Sequence, residues 1–153
     1  DEEHDGHQRG DARDEVVRWA GYAAEHASKF RYGPTRPDTF PDYETASSIE
    51  SDCSRFVIDT FKMAGADDPS GNGFSGQGTT VQLEAHGKPT SNPRPGDLIL
   101  YGPKGASGDN AHVQIYVGPG KASIGHGDLR VKDYDYRSGG RFVNPIGDGG
   151  STS

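Results

Sequence analysis

The stretch Ser51-Asp52-Cys53-Ser54-Arg55-Phe56-Val57 carries the chain's single cysteine, at a point where loop composition gives way to a helical pattern. From there Cys53, Phe56, Val57, Phe61 and Ala64 recur at three- and four-residue spacing, which predicts a helix from Cys53 to Ala64 with one buried stripe. Gly65 follows where a left-handed residue closes a helix. A thiol in the first turn meets unpaired N–H groups and the positive end of the helix dipole, and both favour the thiolate. A lone cysteine is more often a small buried hydrophobe. The meaning of Cys53 therefore depends on the rest of the chain.

Two histidines follow, in Ala111-His112-Val113-Gln114-Ile115-Tyr116-Val117-Gly118 and in Ser123-Ile124-Gly125-His126-Gly127. Between them Gly118-Pro119-Gly120 predicts a hairpin turn. Pairing symmetric about Pro119 sets Val117 opposite Lys121 and His112 opposite His126, and residues so paired have Cβ atoms about 4.5–5.5 Å apart on one sheet face. Amide cleavage by a cysteine needs a thiolate, a proton carrier beside it, and a group that fixes the carrier's ring. Cys53, His112 and His126 supply those three parts. Asp52 works against the thiolate, because a neighbouring carboxylate raises a thiol pKa. It is read either as a helix cap or as a contact to substrate.

Working outward, Asp11 is a candidate N-cap for a first helix, with Val16, Trp19, Ala20, Ala23, Ala27 and Phe30 on its buried face and Tyr32-Gly33-Pro34 as its stop. Residues 33–50 and the Gly-rich residues 66–78 read as loops walling a groove. Thr79 and Gln82 have capping-box spacing before a short helix that Gly87 ends. After Pro95-Gly96 the pattern becomes short β runs: Asp97–Tyr101, His112–Val117, Lys121–Gly125, Leu129–Tyr134 and Arg141–Val143. Helices first and antiparallel strands afterwards give an α+β domain. Residues 1–10 read as a flexible N-terminal segment, 11–146 as the working domain, and 147–153 as a Gly/Ser-rich tail.

A chain of 153 residues is long enough for one domain with its own core, though only 30 % of it is hydrophobic. One cysteine allows no internal disulfide, so packing alone must hold the fold. The net charge of −7 comes with no run of Lys or Arg, which excludes a phosphate-binding surface and hence nucleic acid. It also argues against retention on an anionic polymer. No apolar run is long enough for a membrane span, and no signal-peptide pattern is present. The opening Asp1-Glu2-Glu3-His4, without Met, reads as a processed protein or a domain of a longer one. His4 and His7 have a spacing that could hold a metal on a helix, but no third ligand accompanies them. His26 and His86 read as surface residues, and no metal or cofactor is expected.

The motifs around these residues resemble those of the NlpC/P60 family, the papain-like cysteine peptidases of bacterial cell-wall metabolism. Asp52-Cys53-Ser54 matches its D-C-S motif and Arg94-Pro95-Gly96-Asp97-Leu98-Ile99 its P-G-D-L strand start. His112 to Gly118 is similar to its H-V-G-I-Y-x-G strand, and His126 falls where the family places a third, polar member. Phe30-Arg31-Tyr32-Gly33 is similar to its Y-x-W/Y-G segment. The resemblance covers residues 14–136 and implies a papain-like α+β fold, with N-terminal helices packed on a central antiparallel sheet. It implies a peptidoglycan hydrolase that cuts stem-peptide amide bonds, often γ-D-glutamyl–diamino acid bonds, with Cys53 as nucleophile and His112 as base. Asp52, Ser54, Tyr32 and Arg55 are the expected substrate contacts.

There are departures. Arg55 stands where Gly usually follows D-C-S, Gln114 where the histidine strand has Gly, and Phe30 where a Tyr is usual. The first two are expected to put larger side chains near the groove. The owner reads as a phage endolysin or tail protein, or a secreted bacterial hydrolase, acting at the cell wall as a monomeric domain of a larger protein. Competing readings are a related Cys-His amidase or acyltransferase, a catalytically silent wall-binding module, and a zinc hydrolase using His112, His126 and an acidic residue. The last lacks an H-E-x-x-H-like ligand pair.

Overall fold

The computed structural model describes residues 4–33, 39–75, 78–102, 111–119, 122–124, 129–131 and 139–146, with the side chains of 4–11 and 122–124 left aside. Helix α1 spans His4–Glu25 and buries Val16, Trp19, Ala20 and Ala23, one face at helical spacing. It starts upstream of Asp11, which is therefore not its N-cap. Residues 4–10 include two glycines and no apolar residue, so periodicity gives no sign of a helix there.

The helix also stops earlier than its apolar spacing suggests. A 3-10 turn at Ala27–Lys29 leads into strand β1, Phe30–Tyr32, which pairs in parallel with β2, Ile49–Ser51. The Phe30 ring meets Tyr43 and Phe56 edge-on, with centroids at 5.0 and 6.1 Å. Phe30 thus serves the core from a strand. The short ladder was not expected in the 33–50 loop.

Helix α2, Cys53–Ala64, matches its predicted bounds, and Gly65 closes it at φ 76°, a backbone conformation that suits glycine. Phe56, Val57, Ile58 and Phe61 are fully buried along it. Each such side chain contributes about 1.5–3 kcal/mol on burial. Helix α3, Thr80–His86, opens with the predicted capping box, the Gln82 side chain accepting the Thr79 N–H at 2.8 Å.

Among the described residues the main sheet has five strands in the order β3-β7-β4-β5-β6, every neighbouring pair antiparallel. They are β3 (Lys88–Pro89), β4 (Leu98–Tyr101), β5 (His112–Gly118), β6 (Ala122–Ile124) and β7 (Arg141–Asn144). The predicted run at Leu129–Tyr134 is not a strand over 129–131, where Leu129 is buried at φ 50°, and its remainder lies outside the described residues. The two-residue β3, with a proline, gave too short a signal to read.

The sheet's two faces differ. Leu98, Leu100, Val113, Ile115 and Val143 join the main core with α1 and α2, both of which pack on β5. Ile99, Tyr101 and Tyr116 form a second cluster with Phe142. Alternation along β4 and β5 puts these two sets on opposite faces.

The Pro95-Gly96-Asp97 turn is where α1 locks onto the sheet. Gly96 has φ 99°, and its N–H reaches the Tyr116 carbonyl at 2.8 Å. The Asp97 carboxylate, 1 % exposed, accepts from the Arg94 N–H and from Arg13 Nη1, each at 2.8 Å. Arg13 also donates to Asn144 Oδ1 on β7 at 2.7 Å. One guanidinium ties α1, the turn and the sheet together.

Candidate active site

Cys53 is the first residue of α2 and is 8 % exposed. Asp52 is its N-cap. One carboxylate oxygen, Oδ1, accepts the Arg55 N–H at 2.8 Å and the Ser54 hydroxyl at 3.2 Å, while the Asp52 carbonyl accepts the Phe56 N–H at 2.9 Å. These bonds fix the backbone on both sides of the thiol. The cap role of Asp52 is thereby present in the fold, and Ser54, nearly buried, leans on the same carboxylate.

Strand β2 ends one residue before Asp52, and its parallel partner brings Tyr32 opposite Ser51. The Gly33 N–H continues the ladder onto the Ser51 carbonyl at 3.1 Å. Tyr32 is 61 % exposed. It stands on the strand pair that leads into α2.

Arg55 corrects an expectation. Its side chain is 1 % exposed and faces away from solvent: Nε donates to Asp59 Oδ1 at 2.7 Å and Nη2 to the Thr39 carbonyl at 3.0 Å. Its guanidinium lies 4.5 Å from the Phe40 ring centroid. The larger residue after D-C-S thus fastens the 39–43 segment to α2, and this geometry gives no support to a substrate contact. Next to it, Tyr43 donates to or accepts from Thr60 Oγ1 at 2.8 Å. Burial first, and the Asp59 charge second, push the Tyr43 pKa well above the ordinary tyrosine value. Gln114 is 3 % exposed within the sheet opposite Ile99, so it too is not a groove residue.

The 68–75 segment of the other predicted wall is organised by one buried carboxylate. Asp68 accepts from the Ser70 N–H, the Ser70 hydroxyl and the Phe74 N–H at 2.7–2.8 Å. Phe74, at φ 60°, then meets Phe40 edge-on at 5.7 Å. The two loops touch each other over α2.

His112 opens β5 and is partly buried. It pairs with Tyr101 on β4, and the two rings stack with centroids 6.3 Å apart and planes at 24°. The helix that begins with Cys53 packs on the strand that begins with His112. His126 lies outside the described residues. The β5–β6 register departs from symmetry about Pro119: Ile115 faces Ile124 and Tyr116 faces Ser123, one residue off, and the ladder is irregular between Tyr116 and Gly118. The arithmetic that set His112 opposite His126 therefore does not hold. Gly118, the pair nearest the turn, already faces Ala122 and so stands two residues off, and the irregularity takes back one of the two.

Sequence reading missed Tyr101, and with it Glu84 and Arg141. Arg141 Nη1 donates to the Gly102 carbonyl at 2.6 Å, and Glu84 holds the same guanidinium through two bonds of 2.7 and 2.9 Å. The Glu84 bond raises the Arg141 pKa against the opposing effect of burial. Only the strand register, which no local motif encodes, sets Tyr101 opposite His112.

The profile of the NlpC/P60 family matches residues 27–138. The chain belongs to the NlpC/P60 family. Helix α1, with Arg13, lies upstream of that span yet is packed into the same core. Among curated proteins and among solved structures nothing matches. NlpC/P60 membership is consistent with cell-wall peptidase or hydrolase activity, with peptidoglycan as the class of substrate. No helix among the described residues is long and apolar enough to cross a membrane.

Proposed function

We propose that this NlpC/P60 domain is a cysteine endopeptidase that hydrolyses amide bonds of peptidoglycan stem peptides. The observation that carries the reading is the placement of Cys53 in the first turn of α2, behind the Asp52 cap, in a chain whose residues 27–138 match the family profile. The helix dipole favours a thiolate at Cys53, and an imidazolium at His112 would favour it further. The thiolate attacks the scissile carbonyl, and His112 delivers its proton to the departing amine, leaving a thioester. His112 then takes a proton from water, which attacks the thioester and frees Cys53. His126 orients the His112 ring in this scheme, and Asp52, Ser54 and Tyr32 contact the substrate. The γ-D-glutamyl–diamino acid bond is the favoured target, and a phage lytic module or a secreted bacterial hydrolase is the fitting owner.

Digestion of purified peptidoglycan, read by mass spectrometry of the released fragments, tests this. Expected are new stem-peptide termini with the wild type, none with Cys53→Ala or Cys53→Ser at unchanged melting temperature, and no effect of EDTA. Activity retained by Cys53→Ala, or lost on chelation and restored by metal, would overturn the cysteine mechanism.

A further inference from the structure

We infer that Tyr101 is a positioning residue for His112, and that Gly140 and the Glu84–Arg141 pair hold Tyr101 in place. The inference rests on the reading of His112 as the base. His112 is the first residue of β5. Its Cα partner across the ladder is Tyr101, so the two side chains leave the sheet on one face. Their rings lie at 6.3 Å and 24°, an offset stack within the ordinary range of about 4.5–7 Å.

Tyr101 is itself immobilised. It is 3 % exposed and clusters with Ile99 and Tyr116. A Cβ at residue 140 would sit 2.9 Å from Tyr101 Cε1 and 2.8 Å from Ile99 Cγ2, so glycine lets the backbone press against the ring. Immediately after Tyr101, Gly102 leaves the strand at φ 93°, and its carbonyl is the one Arg141 holds. Glu84 on α3 accepts from Arg141 Nε and Nη2, leaving Nη1 to the Gly102 carbonyl. The chain thus runs from α3 through Arg141 to the end of β4, and from there to the histidine ring. A base displaced by an ångström loses much of its rate, up to about a hundredfold.

The test compares Tyr101→Leu, which keeps apolar bulk, with Tyr101→Phe, which keeps the flat ring. Expected for Tyr101→Leu is a kcat about tenfold lower with KM little changed, slower alkylation of Cys53 by iodoacetamide, and loss of the ring-current shift on the His112 NMR resonances. Tyr101→Phe should restore all three. Glu84→Gln, at a partly exposed site, should lower kcat in the same sense by a smaller factor, and it serves if Tyr101→Leu does not fold. Wild-type kcat and an unmoved His112 resonance in Tyr101→Leu would overturn the inference, as would an equal loss in Tyr101→Phe. Full activity in His112→Ala would overturn the base assignment and this inference with it. An inactive His112→Ala beside an unaffected Tyr101→Leu would overturn this inference alone.

Discussion

Cys53 and His112 are held by opposite means. The bonds described around Cys53 are local: Asp52 caps its helix, Ser54 and Arg55 close the cap, and Gly65 ends the helix twelve residues after it begins. His112 is held from a distance. Its partner Tyr101 arrives through strand register, and the end of that strand is fixed by Arg141 and by Glu84. The proposed nucleophile is thus placed by a helix start that a short peptide sequence can specify. The proposed base is placed only once the sheet has assembled. Damage to the first should be confined to chemistry or to the cap, whereas damage to the second should spread from packing into chemistry.

The largest effect expected from breaking this contrast is on the base. His112→Ala should lower kcat on a stem-peptide substrate by about 10²–10⁴-fold, the usual contribution of a general acid–base group. His126→Asn, which keeps a hydrogen-bonding side chain, should retain measurable turnover. Equal and total loss in both would remove the division of labour between them. Next comes Arg55, buried together with Asp59 along α2. Arg55→Ala leaves Asp59 buried without its 2.7 Å partner and frees Thr39, and should cost about 3–5 kcal/mol in urea unfolding. A loss below about 1 kcal/mol, the range of an exposed pair, would mean the guanidinium does not anchor the loop.

The same contrast explains what the sequence revealed. Helix α2 was legible to the residue, because the Asp52 cap, the apolar stripe and Gly65 all act within one helix. The capping box at Thr79 was legible for the same reason. The Pro95-Gly96-Asp97 turn was visible as a strand start, but not its tie to Arg13, which lies far off in sequence and reaches Asp97 only in the folded chain. Arg55 misled, because a large cation beside a nucleophile looks like a groove residue until Asp59, one helical turn on, and Thr39 take it inward. The symmetry assumed about Pro119 failed for a purely geometric reason. The pairing next to the turn, Gly118 with Ala122, is not symmetric about Pro119, and the irregularity between Tyr116 and Gly118 restores only one of the two residues of offset.

The smallest and most selective effect should come from Asp52, where the cap and the proposed substrate contact share one side chain. Asparagine caps helices about as well as aspartate, so Asp52→Asn keeps the bond from the Arg55 N–H and removes only the charge. Melting temperature should therefore barely move. A carboxylate has a chemical cost beside a thiolate, and stem peptides offer a return, since they carry free amines at an L-Ala terminus or on the diamino acid. Losing a charge-assisted bond to such an amine should lower kcat/KM about tenfold, equivalent to about 1.4 kcal/mol. Acetylating the substrate amine should erase the difference between wild type and Asp52→Asn, because the mutated charge then has nothing to meet. If the two proteins differ as much on acetylated as on free substrate, or if Asp52→Asn melts several degrees lower, Asp52 serves the helix alone.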